Sequence, residues 1–148
     1  MKKITFVFVG LLLILNITGC SITSNEAKLI PYHDKVSMNK FYVVENSKDK
    51  ENVASIISKN LQDKGYQATS GNEGSVPNDV DVIVTYEDRW MWDMSMYMIQ
   101  LNIELRNSKN EFPIVAGETI RTSLSRKTPE EMVAETLIIM FEKLNQGK

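Results

Sequence analysis

Apolar side chains recur at every second position in the second half of the chain. They do so from Val80 to Tyr86 and again from Tyr97 to Leu105, and this period of two predicts strands with one buried face. A turn over 107–110 precedes a third strand predicted over 112–123, in which Gly117 is a candidate bulge. We expect these three strands to form an antiparallel meander.

Two further segments have the spacing of amphipathic helices. Apolar residues between 53 and 61 predict the first helix, with Asn46 or Ser47 as its cap and Gly65 just beyond its end. The second begins at Thr128, because Thr128-Pro129-Glu130-Glu131 has the pattern of a capping box with proline at the first helical position. Its apolar stripe consists of Val133, Leu137, Met140, Phe141 and Leu144.

A β-branched and aromatic run at 41–44 predicts a strand before the first helix, and a weaker signal near Tyr66 predicts another after it. The order is therefore β-α-β-β-β-β-α. This order predicts one α+β domain over residues 39–148. We expect an antiparallel sheet of four or five strands with two helices packed on one face.

The first 19 residues have a different pattern. Lys2 and Lys3 precede an apolar run from Ile4 to Leu15, which spans roughly 18 Å as a helix and is short for a membrane core of about 30 Å. Basic, apolar and small residues in this order predict a signal peptide over 1–19. Ile17-Thr18-Gly19-Cys20 resembles the bacterial lipobox, and this resemblance implies cleavage before Cys20 and attachment of lipid to its sulfur.

Residues 20–38 are predicted to be the lipidated cysteine and a polar tether. His33, the single histidine, lies in this segment and is expected to be solvated rather than to bind metal. By resemblance to enterobacterial lipoproteins, Ser21 after the cysteine implies sorting to the periplasmic face of the outer membrane.

The composition of the chain excludes several kinds of partner, cross-link and active site. Without Lys2 and Lys3, 15 basic side chains remain against 19 acidic ones, so a nucleic-acid partner is not expected. One cysteine excludes an internal disulfide and a four-thiolate metal site. The sequence has no phosphate-binding loop, and neither a serine nor the cysteine can be paired with a suitable histidine. We therefore expect no enzymatic activity, no cofactor and no metal.

One stretch breaks the alternation and carries the candidate partner-binding residues. These are Trp90, Trp92, Met94, Met96 and Met98. Tryptophan and methionine are typical of adaptable docking surfaces, which is the functional interpretation. Two alternatives remain open: another part of the chain covers the stretch, or a bulge between Trp90 and Met94 exchanges its two faces.

The lipobox, the β-α unit, the valine-rich strand and the capping-box helix together resemble small bacterial cell-envelope lipoproteins of unknown function. Our first hypothesis is a non-enzymatic protein-binding or assembly module that works with an envelope partner, and the lipobox resemblance implies that palmitate-type acyl chains on Cys20 hold it at the membrane. The alternatives are a small-ligand or lipid carrier, which requires an apolar cavity, and a hydrolase.

Overall fold

The structure is a computed structural model and describes residues 23–31 and 36–147. Within these residues the chain is α+β, with two helices and one open, mixed sheet of six strands. The predicted α+β class with two helices is confirmed, but the predicted number of four or five strands is wrong, because Ser24–Leu29 adds an edge strand to the sheet. The elements are β1 (Ser24–Leu29), β2 (Lys40–Val44), α1 (Val53–Asp63), β3 (Gln67–Gly71), β4 (Val82–Asp93), β5 (Ser95–Asn107), β6 (Pro113–Ile120) and α2 (Pro129–Gln146).

The strand order across the sheet is β1-β6-β5-β4-β2-β3. Strands β4, β5 and β6 form the predicted antiparallel meander. However, β2 pairs in parallel with both β3 and β4, so the prediction of an antiparallel sheet is wrong for this half. The reason is the helix α1, which returns the chain to the end of the sheet where β2 began, so that β3 runs in the same direction as β2.

The first strand, β1, lies in the segment that was predicted to be a tether. Ser24 pairs with Ile120 and Leu29 pairs with Val115, so residues 24–29 form an edge strand of the sheet. A polar segment can do this because an edge strand takes its hydrogen bonds from the neighbouring backbone and needs few buried side chains. The signal-peptide and lipidation predictions, including Cys20, and the prediction for His33 lie outside the described residues.

Both helices pack on the sheet around one core. Its largest fully buried side chains include Phe41, Ile57, Leu61, Met98, Leu101, Ile103, Leu105, Ile114, Met132, Leu137 and Met140. Thr119 on β6 and Thr136 on α2 share a hydrogen bond of 2.7 Å inside this core, which satisfies two buried hydroxyls at the sheet–helix contact.

The predicted bulge at Gly117 is absent, because Gly117 stays in register with Ile103 and Ala27. Glycine is needed there for space instead. A Cβ atom at this position would lie 2.7 Å from the sulfur of Met140 and 2.9 Å from Cγ2 of Thr136. The missing side chain lets α2 approach the sheet closely.

The helix ends follow the predicted signals in part. Thr128 accepts a hydrogen bond from the Glu131 amide, and Glu131 accepts one from the Thr128 amide, which confirms the capping box. Gly65 follows α1 with φ 91°, as predicted for a residue beyond a helix end. Asn46 and Ser47 do not cap α1, because the Asp49 carboxylate accepts the Ala54 amide instead, at 3.1 Å. None of the described helices is long and apolar enough to cross a membrane.

Candidate functional site

The β4–β5 hairpin extends beyond the rest of the sheet. On one side β2 pairs only with Val82–Val84, and on the other side the β6 pairing ends at Gln100. One further backbone bond, from the Arg121 amide to the Ile99 carbonyl at 2.8 Å, continues the contact. Beyond this level the two strands of the hairpin pair with each other through residues 90–98. The hairpin therefore projects from one end of the molecule.

The projecting end is apolar and exposed. We call residues 91–96 the hairpin tip. Within it Trp92 is 71% exposed and lies directly opposite Met96, which is 55% exposed. Met94 stands at the turn with φ 59° and is 91% exposed, and Met91 is also exposed. Large apolar patches on a monomer surface mark sites of interaction, so the tip is the leading candidate for a docking surface.

The base of the hairpin is different, because two of the predicted partner-binding residues belong to the core. Met98 is fully buried, and Trp90, its direct neighbour across the strands, packs against the core and donates its indole N–H to Asp88. The register shifts by one residue between Arg89 and Trp90, which leaves Ile99 as an extra residue on β5. This bulge turns Met98 inward. The alternative in which a bulge exchanges faces is thus correct for Met98, although the bulge lies one step before the predicted interval.

Arg126 fixes the tip to the loop that precedes α2. Its Nη2 lies 2.9 Å from Asp93 Oδ2 and 3.1 Å from the Asp93 carbonyl oxygen, and its Nη1 donates to Ser95 Oγ at 3.0 Å. The guanidinium carbon lies 4.0 Å from the centre of the Tyr97 ring. The arginine therefore neutralises Asp93 and covers an aromatic ring at the same time.

Leu124 adds a further apolar side chain at this end. It lies in the short turn Ser123–Ser125, is 90% exposed, and is held near the tip because Arg126 Nε donates to the Ser123 carbonyl at 3.2 Å. Met91 and Leu124 were not among the predicted partner-binding residues, and the contacts of Arg126 with the tip were not predicted. A charged residue shortly after an exposed leucine gives no sequence signal for a contact with a strand 31 residues earlier.

The face of the sheet that does not carry the helices forms a second exposed surface. A shallow cavity of about 560 Å³ lies on it across β1, β6, β5 and β4. Its charged lining residues are Glu26, Lys28, Glu87, Glu104, Arg106 and Glu118. Arg106 pairs with Glu104 at 2.7 Å, and Gln100 donates to Glu118 at 2.6 Å. In the described part of the chain, no three metal-binding side chains come together to form a metal site.

Comparisons with known proteins identify the fold. No family model matches the chain, and no curated protein sequence matches it. Among solved structures, it is similar to a single-substitution variant of PelC from Paraburkholderia phytofirmans, solved as a dodecamer, with TM-score 0.62 and 15% identity over 80% of this chain and 98% of that chain. A second PelC dodecamer from the same organism gives TM-score 0.59 and 12% identity over 80% and 97% of the two chains. At these identities the similarity shows a shared fold.

Proposed function

We propose that the protein is a small cell-envelope lipoprotein, anchored through lipid on Cys20, that works as a non-enzymatic binding or assembly module. The observation that carries the proposal is the open sheet face. This face has a shallow cavity across β1, β6, β5 and β4 with charges of both signs, and both helices pack on the other side of the sheet. Such a surface suits a protein partner of complementary charge, or a second copy of the chain. The proposed location is the periplasmic face of the outer membrane.

The core favours surface binding over the carrier alternative. The space between the sheet and the helices is filled by side chains such as Ile57, Leu101 and Leu137, which are fully buried. The cavity on the open sheet face is open to solvent and is lined in part by charged side chains such as Glu26, Glu104 and Glu118. A lipid or small apolar ligand needs an enclosed apolar volume, and the described residues leave none between the sheet and the helices.

The similarity to PelC supports the assembly part of the proposal. The PelC chains, which share this fold over almost their whole length, are dodecamers in both structures. A chain with this arrangement of strands and helices is therefore compatible with a large symmetric assembly. In such an assembly each chain uses the same surfaces, so an open sheet face or edge strand is a natural contact.

Site-specific photo-crosslinking of the full chain in cells tests the proposal. A photoreactive residue at Asn102 or Thr85 would lie on the open face, and one at Lys59 or Glu142 on an exposed helix surface gives a matched control. We expect discrete crosslinked species, identified by mass spectrometry as a second copy or one envelope protein, from the open face only. Equal crosslinking from both sets, or none from the open face, would contradict the proposed surface.

The anchor is tested separately. The intact mass of the purified chain should show acyl chains on a mature protein that begins at Cys20, and Cys20→Ala should abolish both the added mass and membrane fractionation. An unprocessed or unacylated wild-type chain would overturn the lipoprotein assignment.

A further inference from the structure

The start of β1 and the hairpin tip lie at the same end of the molecule. Ser24 pairs with Ile120, and Ile120 pairs with Gln100, so these three residues stand at one level of the sheet. Arg121 contacts the start of β1 at the same level, because its Nη1 lies 3.4 Å from the Ser24 carbonyl oxygen. From Gln100 the hairpin continues outward to Met94. The N-terminal end of β1 therefore points to the same end of the molecule as the hairpin tip.

The distance from Cys20 to this level is short. Cys20 and Ser24 are four Cα–Cα steps apart, and this stretch can span at most roughly 14 Å when fully extended. The hairpin reaches a comparable distance, since the six Cα–Cα steps from Met94 to Gln100 extend roughly 20 Å along a strand. The lateral offset between β1 and β5 is two strand spacings, roughly 10 Å. A membrane that holds Cys20 on this side of the molecule can therefore also contact the tip.

Exposed apolar side chains concentrate at this end. Seven large apolar residues of the described chain are exposed. Five of them belong to the tip or the adjoining turn: Met91, Trp92, Met94, Met96 and Leu124. Phe112 lies at the opposite end, in the turn between β5 and β6, and Ile138 lies on α2. The apolar surface thus faces the side where the anchor enters.

The charges at the tip suit contact with lipid. Asp93 is neutralised by Arg126, whose guanidinium group also covers Tyr97, so the tip carries a paired charge instead of an isolated one. Burying an unpaired charge in an apolar environment is costly, whereas a hydrogen-bonded pair lowers that cost. The two strands of the tip pair with each other, which satisfies the backbone groups that face inward, while the groups on the two outer edges need the water of the headgroup region.

We propose that the hairpin tip is a membrane-docking element that inserts Trp92, Met94 and Met96, with Leu124 beside them, into the interface of the bilayer that holds the lipid of Cys20. The inference rests on the proposed lipid anchor and names the partner of the exposed tip. Tryptophan favours the headgroup region, and methionine and leucine favour the boundary with the acyl chains. Anchor and tip together hold the open sheet face in a fixed orientation relative to the membrane.

Fluorescence quenching by labelled lipids tests the proposal on the lipidated full chain in phosphatidylcholine vesicles. Trp90→Phe leaves Trp92 as the single tryptophan. With a quencher near the headgroups we expect its emission to shift to shorter wavelength and to lose intensity, as for a tryptophan at the membrane interface. A quencher placed deep in the acyl region should reduce the Trp92 emission less. The result should not need anionic lipid, because Asp93 and Arg126 cancel.

A matched control places the single tryptophan at the opposite end. Phe112 is 43% exposed there, so Phe112→Trp combined with Trp90→Phe and Trp92→Phe should give a folded chain whose emission lipid quenchers leave unchanged. Circular dichroism and thermal unfolding establish that both single-tryptophan chains are folded. Equal quenching in both would mean that the whole domain contacts the bilayer and would overturn a role specific to the tip.

Intact mass on the same samples separates the two proposals. Unacylated protein overturns the anchor and with it the inference. Acylated protein in which Trp92 is not quenched overturns the inference alone and leaves the lipoprotein assignment standing. Trp92 that is shielded from aqueous iodide but not quenched by lipid would show that a protein covers the tip, which also contradicts membrane docking.

Discussion

The hydroxyl of Tyr86 donates a hydrogen bond to Asp49 Oδ2 at 2.6 Å and joins β4 to the loop before α1. The same carboxylate oxygen accepts the Ala54 amide, so one side chain links a strand to a helix start. Partial burial acts to raise the pKa of Asp49, but the hydrogen bonds from Tyr86 and the backbone amides outweigh it and hold that pKa below its usual value. Burial, followed by this hydrogen bond, raises the pKa of Tyr86 far above its usual value.

A double-mutant cycle should measure this contact. Tyr86→Phe removes the hydroxyl, and we expect the free energy of unfolding to fall by about 1–2 kcal/mol, because the bond is to a charged group. In Asp49→Asn, where that charge is absent, adding Tyr86→Phe should cost clearly less. Urea unfolding of the wild type, the two single variants and the double variant gives the coupling energy between Tyr86 and Asp49. Equal costs in both backgrounds would show that the bond contributes little.

The same pair should produce an acid-sensitive stability. Because the pKa of Asp49 is lower in the folded chain, its contribution is present above the unfolded pKa of about 4 and is lost as the pH falls through the folded value. We expect the urea midpoint of the wild type to drop between about pH 5 and pH 3, and that of Asp49→Asn to drop less. Parallel curves for the two chains would contradict this assignment.

Gly117 should tolerate no side chain. A methyl group there would meet Met140 and Thr136, so Gly117→Ala should force α2 away from the sheet and lower the free energy of unfolding by about 1–3 kcal/mol. Gly74→Ala is the matched control, because a Cβ at Gly74 has no atom within 4 Å. Denaturant unfolding measures both, and similar stabilities would mean that the helix adjusts without cost.

Arg126 should order the hairpin tip more than it stabilises the whole chain. Its ion pair with Asp93 is partly exposed, and such pairs contribute at most about 1 kcal/mol. Arg126→Ala should therefore change the unfolding midpoint little but increase amide hydrogen exchange at 91–97. Arg89→Ala, which removes a bond to Gln100 nearer the base, is the control and should leave exchange at the tip unchanged. Unchanged exchange in Arg126→Ala would show that the strands order the tip alone.

Local signals in the sequence were sufficient for the helices and for the central meander. The start of α2 depends on side chains three residues apart, and Gly65 ends α1 through its own backbone angle. The alternation from Val82 to Tyr86 and from Leu101 to Leu105 is a property of each strand by itself. The residues that make these interactions are neighbours along the chain, so a short stretch of sequence contains the whole signal.

The tertiary structure alone decided which strands pair and which side chains the pairing exposes. Ser24–Leu29 becomes a strand only because β6 offers it an edge. Strand β2 is parallel to β3 and β4 because α1, and then the segment 72–81, each return the chain to the end of the sheet where β2 began. One extra residue at Ile99 places Met98 in the core, while Trp92, Met94 and Met96 stay outside. The sequence determined that the Trp/Met stretch was unusual. Its division into core and tip depends on register between distant strands, which no local pattern contains.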